Sequence, residues 1–153
     1  MSSAGFLCNY LRMSGLWVSD LKRALVAATA YFLALFALGF VLGTIRVVFV
    51  APRFGQLAGT VAEVPVMLTA AYVICRWALN HWRVSPRSAI RWTMVLLFLV
   101  LLFIFETLLG LALFGRTLLE QWAALVTLAG VLGLSAQVIA ALLPVFVGKG
   151  EPR

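Results

Sequence analysis

The chain has 153 residues, 64% of them hydrophobic and only 11% charged, with a mean hydropathy of +1.09. A soluble domain carries about 25% charged residues, and no single core of this size hides so much apolar surface; a soluble globular protein is excluded, as is a second, soluble domain. The formal charge of +7, from 12 Lys+Arg against 5 Asp+Glu, comes from basic residues that flank apolar runs. They read as topology signals and contacts for anionic lipid head groups, and no nucleic-acid partner is expected.

Residues 1–21 form an N-terminal segment, mildly apolar, with Phe6, Tyr10 and Trp17 loosely spaced. An interfacial helix and a disordered tail fit it equally, and its pattern is not that of a cleaved signal peptide. A spanning helix needs ~20 mostly apolar residues, and the region 22–147 accommodates four: about 24–50, 56–77, 91–114 and 119–146. The first follows Lys22-Arg23 and stops at Ala51-Pro52-Arg53. The second ends in the basic and aromatic stretch from Arg76 to Arg83, and Pro86 lies in the connection, where it harms no helix. The third turns at Gly115-Arg116, and the fourth exits near Pro144 into a tail, 148–153. Short connections make consecutive helices antiparallel neighbours, so the expected fold is all-α, a polytopic four-helix up-down-up-down bundle.

Orientation follows from the basic residues. Arg12, Lys22, Arg23, Arg76, Arg83, Arg87, Arg91, Lys149 and Arg153 fall on one side; Arg46, Arg53 and Arg116 fall on the other. Both termini are therefore expected to be cytoplasmic. Trp17, Trp77, Trp82 and Trp92 gather at that same boundary. Arg76, His81, Arg83, Arg87 and Arg91, interleaved with these tryptophans, are the candidate lipid head-group contacts, with plain positive-inside anchoring as the simpler reading.

Charges inside the apolar runs carry the rest of the argument, because a mid-membrane charge costs ~2.5–3.5 kcal/mol and usually pairs inside the bundle. At 1.5 Å per residue, Glu63 lies roughly 19 Å above Arg76 and Glu106 roughly 22 Å above Arg91, while Arg46 lies about 34 Å above Arg23. Two acids and two bases, Arg46, Arg53, Glu63 and Glu106, are thus expected on one layer in the outer third. Gly39, Gly43 and Arg46 share a helix face, as do Gly59 and Glu63, and Glu106 and Gly110, so glycine leaves room beside each charge. Pro65 removes the donor for the Val61 carbonyl close to Glu63. Thr127, Ser135 and Gln137 are expected to hydrogen-bond between helices.

No phosphate loop, nucleophile elbow, zinc-protease motif or dinucleotide fingerprint is present. The single histidine cannot supply bis-histidine haem ligation, and Cys8 and Cys75 form neither a redox nor a metal motif. No enzymatic activity, cofactor or metal is expected. Four-span thiol oxidoreductases need paired cysteines, and small multidrug exporters carry their carboxylate on the first helix, where this chain has an arginine.

The stretch GFVLGTIRVVFVAPRFGQLAGTVAEVPVML, with the later CRW and FETLLG, resembles a group of small four-span bacterial inner-membrane proteins of uncharacterised function. The resemblance covers roughly residues 22–145 and centres on Arg46, Pro52, Arg53, Glu63 and Pro65. It implies the fold and a bacterial inner (plasma) membrane, but no activity. The leading expectation is a structural or accessory membrane protein whose Arg/Glu cluster holds the outer half together. The alternative is an oligomeric transporter or channel using Glu63 and Glu106 as an ion- or substrate-binding site. Partners under either reading are membrane lipids and a second copy or larger membrane complex.

Overall fold

A computed structural model describes residues 3–112, 115 and 117–147, with side chains from Trp17 onward. Arg116 and the tail 148–153 lie outside the described residues, as do the side chains of Cys8 and Arg12. All regular structure among the described residues is helical.

Helix α1 runs without interruption over Ser3–Ile45, so residues 3–21 continue the first apolar helix instead of forming a separate segment. It passes into a π-helical turn, Arg46–Val50, closed by the Ala51 N–H donating to the Arg46 carbonyl. The loosening has a local cause: Pro52 cannot donate to the Val48 carbonyl four residues back. Helix α2 (Ala51–His81) contains the chain reversal at Gly55, where φ 82° and ψ 163° suit only glycine. The reversal thus falls just beyond the expected stop at Ala51-Pro52-Arg53.

Helix α3 (Ser88–Ala112) follows Pro86. The expected fourth span is divided into α4 (Leu118–Leu125) and α5 (Leu128–Phe146). Thr117 and Glu120 form a reciprocal capping box that starts α4. At the break, the Thr127 hydroxyl donates to the Ala124 carbonyl (2.7 Å) and accepts from the Gly130 N–H (3.1 Å). A Cβ on Gly130 would run into the Ala124 carbonyl, so glycine lets α5 restart at that angle.

Three helical stretches are long and apolar enough to cross a membrane: Trp17–His81, Ser88–Ala112 and Leu128–Phe146. This differs from the four separate spans expected. The first stretch has 65 residues; straight, it would be ~98 Å long, about three bilayer cores. It is folded back at Gly55 instead. Gly39 lies against Met67, and Arg46 reaches Thr60 and Glu63, so its two arms run antiparallel.

Ring contacts of Tyr31 with Phe98 (5.0 Å) and of Phe36 with Phe105 (5.2 Å) set α1 and α3 side by side and parallel. Helix α2 packs on α1 and α5, and α3 on α1 and α5; α2 and α3 do not pack on each other. The molecule is therefore two antiparallel hairpins laid together, and the second and third helices stand diagonally opposed. Val84, fully buried in the connection, explains how so short a link crosses the bundle: it passes under the core and plugs it.

The core sits at this end, hereafter the basal end. Ala24, Ala27, Ala28, Tyr31, Phe32 and Leu35 form the helical stripe of α1 that faces inward, against Ala71, Cys75 and Ala78 of α2 and Met94, Val95 and Phe98 of α3. Small alanines let the backbones approach, and the rings fill what remains. The Tyr31 hydroxyl donates across the centre to the Ala140 carbonyl at 2.8 Å, which satisfies its polar end.

Candidate functional site

The expected four-residue cluster resolves into three separate places. Arg46 projects from the π-helical turn toward α2, and its Nη1 donates to the Thr60 hydroxyl at 2.7 Å. Its Nε stands 3.2 Å from Glu63 Oε2, an ion pair whose atoms face each other without hydrogen-bond alignment. The pair is only partly exposed, at 29% and 17% of the two side chains. The Thr60 hydroxyl in turn donates to the Gln56 carbonyl (3.1 Å), so the chain of contacts ends on backbone one turn away.

Gly59 makes this approach feasible. A Cβ there would lie 2.7 Å from Arg46 Cγ and 3.0 Å from Cδ. The glycine one turn from Glu63 therefore accommodates the arginine stem. The other expected contributor, Gly43, has open space around it, and only Gly39 of that motif is in contact, with Met67.

Glu106 does not join this pair. It receives a hydrogen bond from Gln137 Nε2 of α5 and pairs with no arginine among the described residues. The expected common layer is also corrected. Tyr31 opposite Phe98 and Phe36 opposite Phe105 together place Glu106 beside about residue 38 of α1, whereas Arg46 opposite Thr60 places Glu63 beside about residue 43. Glu106 is thus ~7 Å deeper toward the basal end. Arg53 is exposed at the reversal and makes no ion pair or hydrogen bond with any described residue.

The basic set at the basal end divides too. Arg76, His81 and Arg83 are exposed. The His81 ring stacks on Trp77 (5.1 Å, 18°) and meets the edge of Trp82 at 4.7 Å. Arg87 pairs with Asp20 at 3.1 Å and lies over the Trp17 ring at 5.0 Å, tying α1 to the start of α3. Arg91 differs from the rest of the set in being buried, only 3% exposed. Its Nη1 donates to the Pro144 (2.7 Å) and Val147 (3.0 Å) carbonyls and its Nε to Ser85 (3.2 Å). It closes the C-terminal end of α5, where the helix dipole favours a cation.

Of the polar residues expected to bond between helices, Gln137 does so, whereas Ser135 donates to its own Val131 carbonyl and Thr127 caps α5. Thr60 was missed, although it lies three residues before Glu63 on the same face. The T-x-x-E signature at Thr117–Glu120 was also readable from the sequence. Among the described residues no group of three His, Cys, Asp or Glu could hold a metal ion. No protein-family model matches the chain, and no curated protein or solved structure proves similar to it.

Proposed function

We propose that this chain is a four-span protein of a bacterial inner membrane, with both termini cytoplasmic, and that its role is structural or accessory. In this reading the two arms of the 17–81 stretch, α3 and the α4–α5 unit each cross the bilayer. The cytoplasmic end is the basal one, where Arg76, Arg83 and Arg87 gather with Trp17, Trp77 and Trp82. The resemblance over residues 22–145 supports the choice of membrane.

The observation that carries the structural role is where the polar side chains inside the apolar helices bond. Arg46 reaches Thr60 and Glu63 from the first arm to the second, Tyr31 reaches Ala140, and Glu106 meets Gln137 from the third helix to the last. Each contact ties two helices, and interhelical hydrogen bonds in lipid are worth roughly 0.6–1.7 kcal/mol apiece. Glu63→Gln should therefore lower unfolding stability in detergent by about 1 kcal/mol and leave proton and cation flux through proteoliposomes at the background set by empty vesicles. Unchanged stability together with loss of a wild-type flux would overturn the reading.

One observation favours a second reading, an oligomeric transporter or channel. Glu106 has a neutral partner, Gln137, where Glu63 has an arginine, and an intramembrane carboxylate that meets no cation among the described residues is a natural ion or proton site. Under that reading Glu106→Gln abolishes flux while Glu63→Gln spares it.

A further inference from the structure

The outer face of α2 carries two open depressions that meet. One, of about 520 Å³, is lined by Arg76, Trp77 and His81 among others. The other, of about 590 Å³, runs further from the basal end past Ala70 and Val66 to Pro65. Val73 lines both. Val66, Ala70, Val73 and Trp77 recur at helical spacing, so the two depressions form one stripe along a single face.

The chemistry changes along that stripe. Its basal part offers a guanidinium and an imidazole, and among the described residues no carboxylate lines either depression. Its upper part is apolar. The one hydroxyl there, on Thr69, donates back to the Pro65 carbonyl at 2.8 Å, so it offers the groove no free donor. From Pro65 to His81 the stripe is ~24 Å long. One leaflet with its head groups is about 20–22 Å thick.

We infer that this stripe seats one anionic diacyl phospholipid of the basal leaflet, its phosphate at Arg76 and His81 and an acyl chain along Val73, Ala70 and Val66. The inference rests on the proposed membrane placement. Trp77, half exposed and stacked on His81, sits where the glycerol backbone would lie, the depth at which indole rings are favoured. Pro65 marks the upper end of the groove, at the depth of the bilayer midplane.

Native mass spectrometry of the full chain, released from micelles containing phosphatidylglycerol and phosphatidylcholine of identical acyl chains, tests this. The expected result is one phosphatidylglycerol retained per chain in preference to phosphatidylcholine. Arg76→Gln and, separately, His81→Gln should each reduce that preference, about fivefold for the arginine. Val73→Phe, which fills the junction, should lower retention of both lipids while the melting temperature in lipid-free detergent stays at the wild-type value. Equal retention of the two lipids by the wild type overturns the inference. So does displacement of phosphatidylglycerol by millimolar inorganic phosphate with Val73→Phe still binding it, which would mark an anion site without an acyl seat. Loss of a dimer in Val73→Phe, with lipid retention intact, would assign the face to a second copy and overturn it likewise. Release of the chain from membranes by alkaline extraction would remove the proposed placement itself; a chain that stays in the membrane without lipid preference removes only the lipid seat.

Discussion

The two ends of the bundle are held by different means. At the basal end, alanines from α1, α2 and α5 bring the backbones together around Tyr31, Phe32, Met94 and Phe98, all but excluded from the surface. Toward Gly55 the helices keep few buried positions among the described residues, chiefly Gly59, Thr60 and Gly110. The contacts there are Arg46 with Glu63 and Thr60, and Gln121 Nε2 with the Thr107 carbonyl (3.4 Å). In a lipid solvent apolar side chains gain little by leaving lipid for protein, so helices stay together through close packing or polar contacts. One end of this molecule uses the first and the other end relies on the second. The apolar rings at the basal end fix the geometry, and the polar pairs tie the helices at the opposite end.

The sharpest challenge to this division is Arg91, a polar residue inside the end assigned to packing. Its side chain serves carbonyls of Pro144, Val147 and Ser85 at once, and a buried hydrogen bond to a charged group contributes about 1.5–3 kcal/mol. Arg91→Leu should therefore cost about 3 kcal/mol or more in SDS-induced unfolding, the largest effect of the variants considered. The loss should be accompanied by increased proteolysis at the C-terminal end of α5. If Arg91→Leu cost no more than Glu63→Gln, the basal end would depend on packing alone and the arginine would be incidental.

At the other end, Gly59→Ala sharpens the comparison. The new methyl takes the space of the Arg46 stem, forcing it away from Glu63 and Thr60. A loss of about 1–2 kcal/mol is expected. Because Glu63→Gln removes the same contact, the double variant should lose less than the sum of the two singles, a coupling of about 0.5 kcal/mol or more in a double-mutant cycle. Strict additivity would mean that Gly59 and the ion pair act separately, and that the glycine serves helix approach alone.

Much of this was legible beforehand, and what was not has definable causes. The Gly59–Glu63 spacing anticipated an arginine packed over glycine, because helical periodicity fixes which residues share a face. The apolar third helix and the lone histidine's aromatic surroundings were equally readable. The single charged layer was wrong because depth was counted from Arg76 on one helix and Arg91 on the other as if both marked one boundary. Arg91 opposes about residue 23 of α1 and Arg76 about residue 30, a stagger of ~10 Å. That stagger comes from the ring contacts of Phe36, Phe98 and Phe105, which no count along one helix contains. Nor does a short connection show whether its helices touch: the burial of Val84 takes α3 to the diagonal position. The break at Thr127 was hidden by an unbroken apolar pattern, with only T-x-x-G to betray a cap.

Arg83 gives the smallest expected effect and the one of opposite sign. Helix α2 ends with the Val84 N–H donating to the Leu79 carbonyl (3.0 Å) and the Arg83 N–H to that of Asn80 (3.3 Å), the paired bonds of a Schellman turn. Its hydrophobic contact is also in place, since Val84 and Leu79 are both buried. The residue at the left-handed position is Arg83, at φ 49°, where glycine is preferred because it has no Cβ to crowd the carbonyl. Arg83→Gly relieves that strain but loosens the unfolded chain, so a net gain of about 0.5 kcal/mol in unfolding stability is expected. The same variant removes one exposed cation from the basal end without touching the core. A destabilisation in detergent would show that the guanidinium makes a contact worth more than the backbone strain. A gain in detergent combined with loss of membrane-inserted yield would instead separate the ending of a helix from the role in orientation that the proposed placement gives this residue.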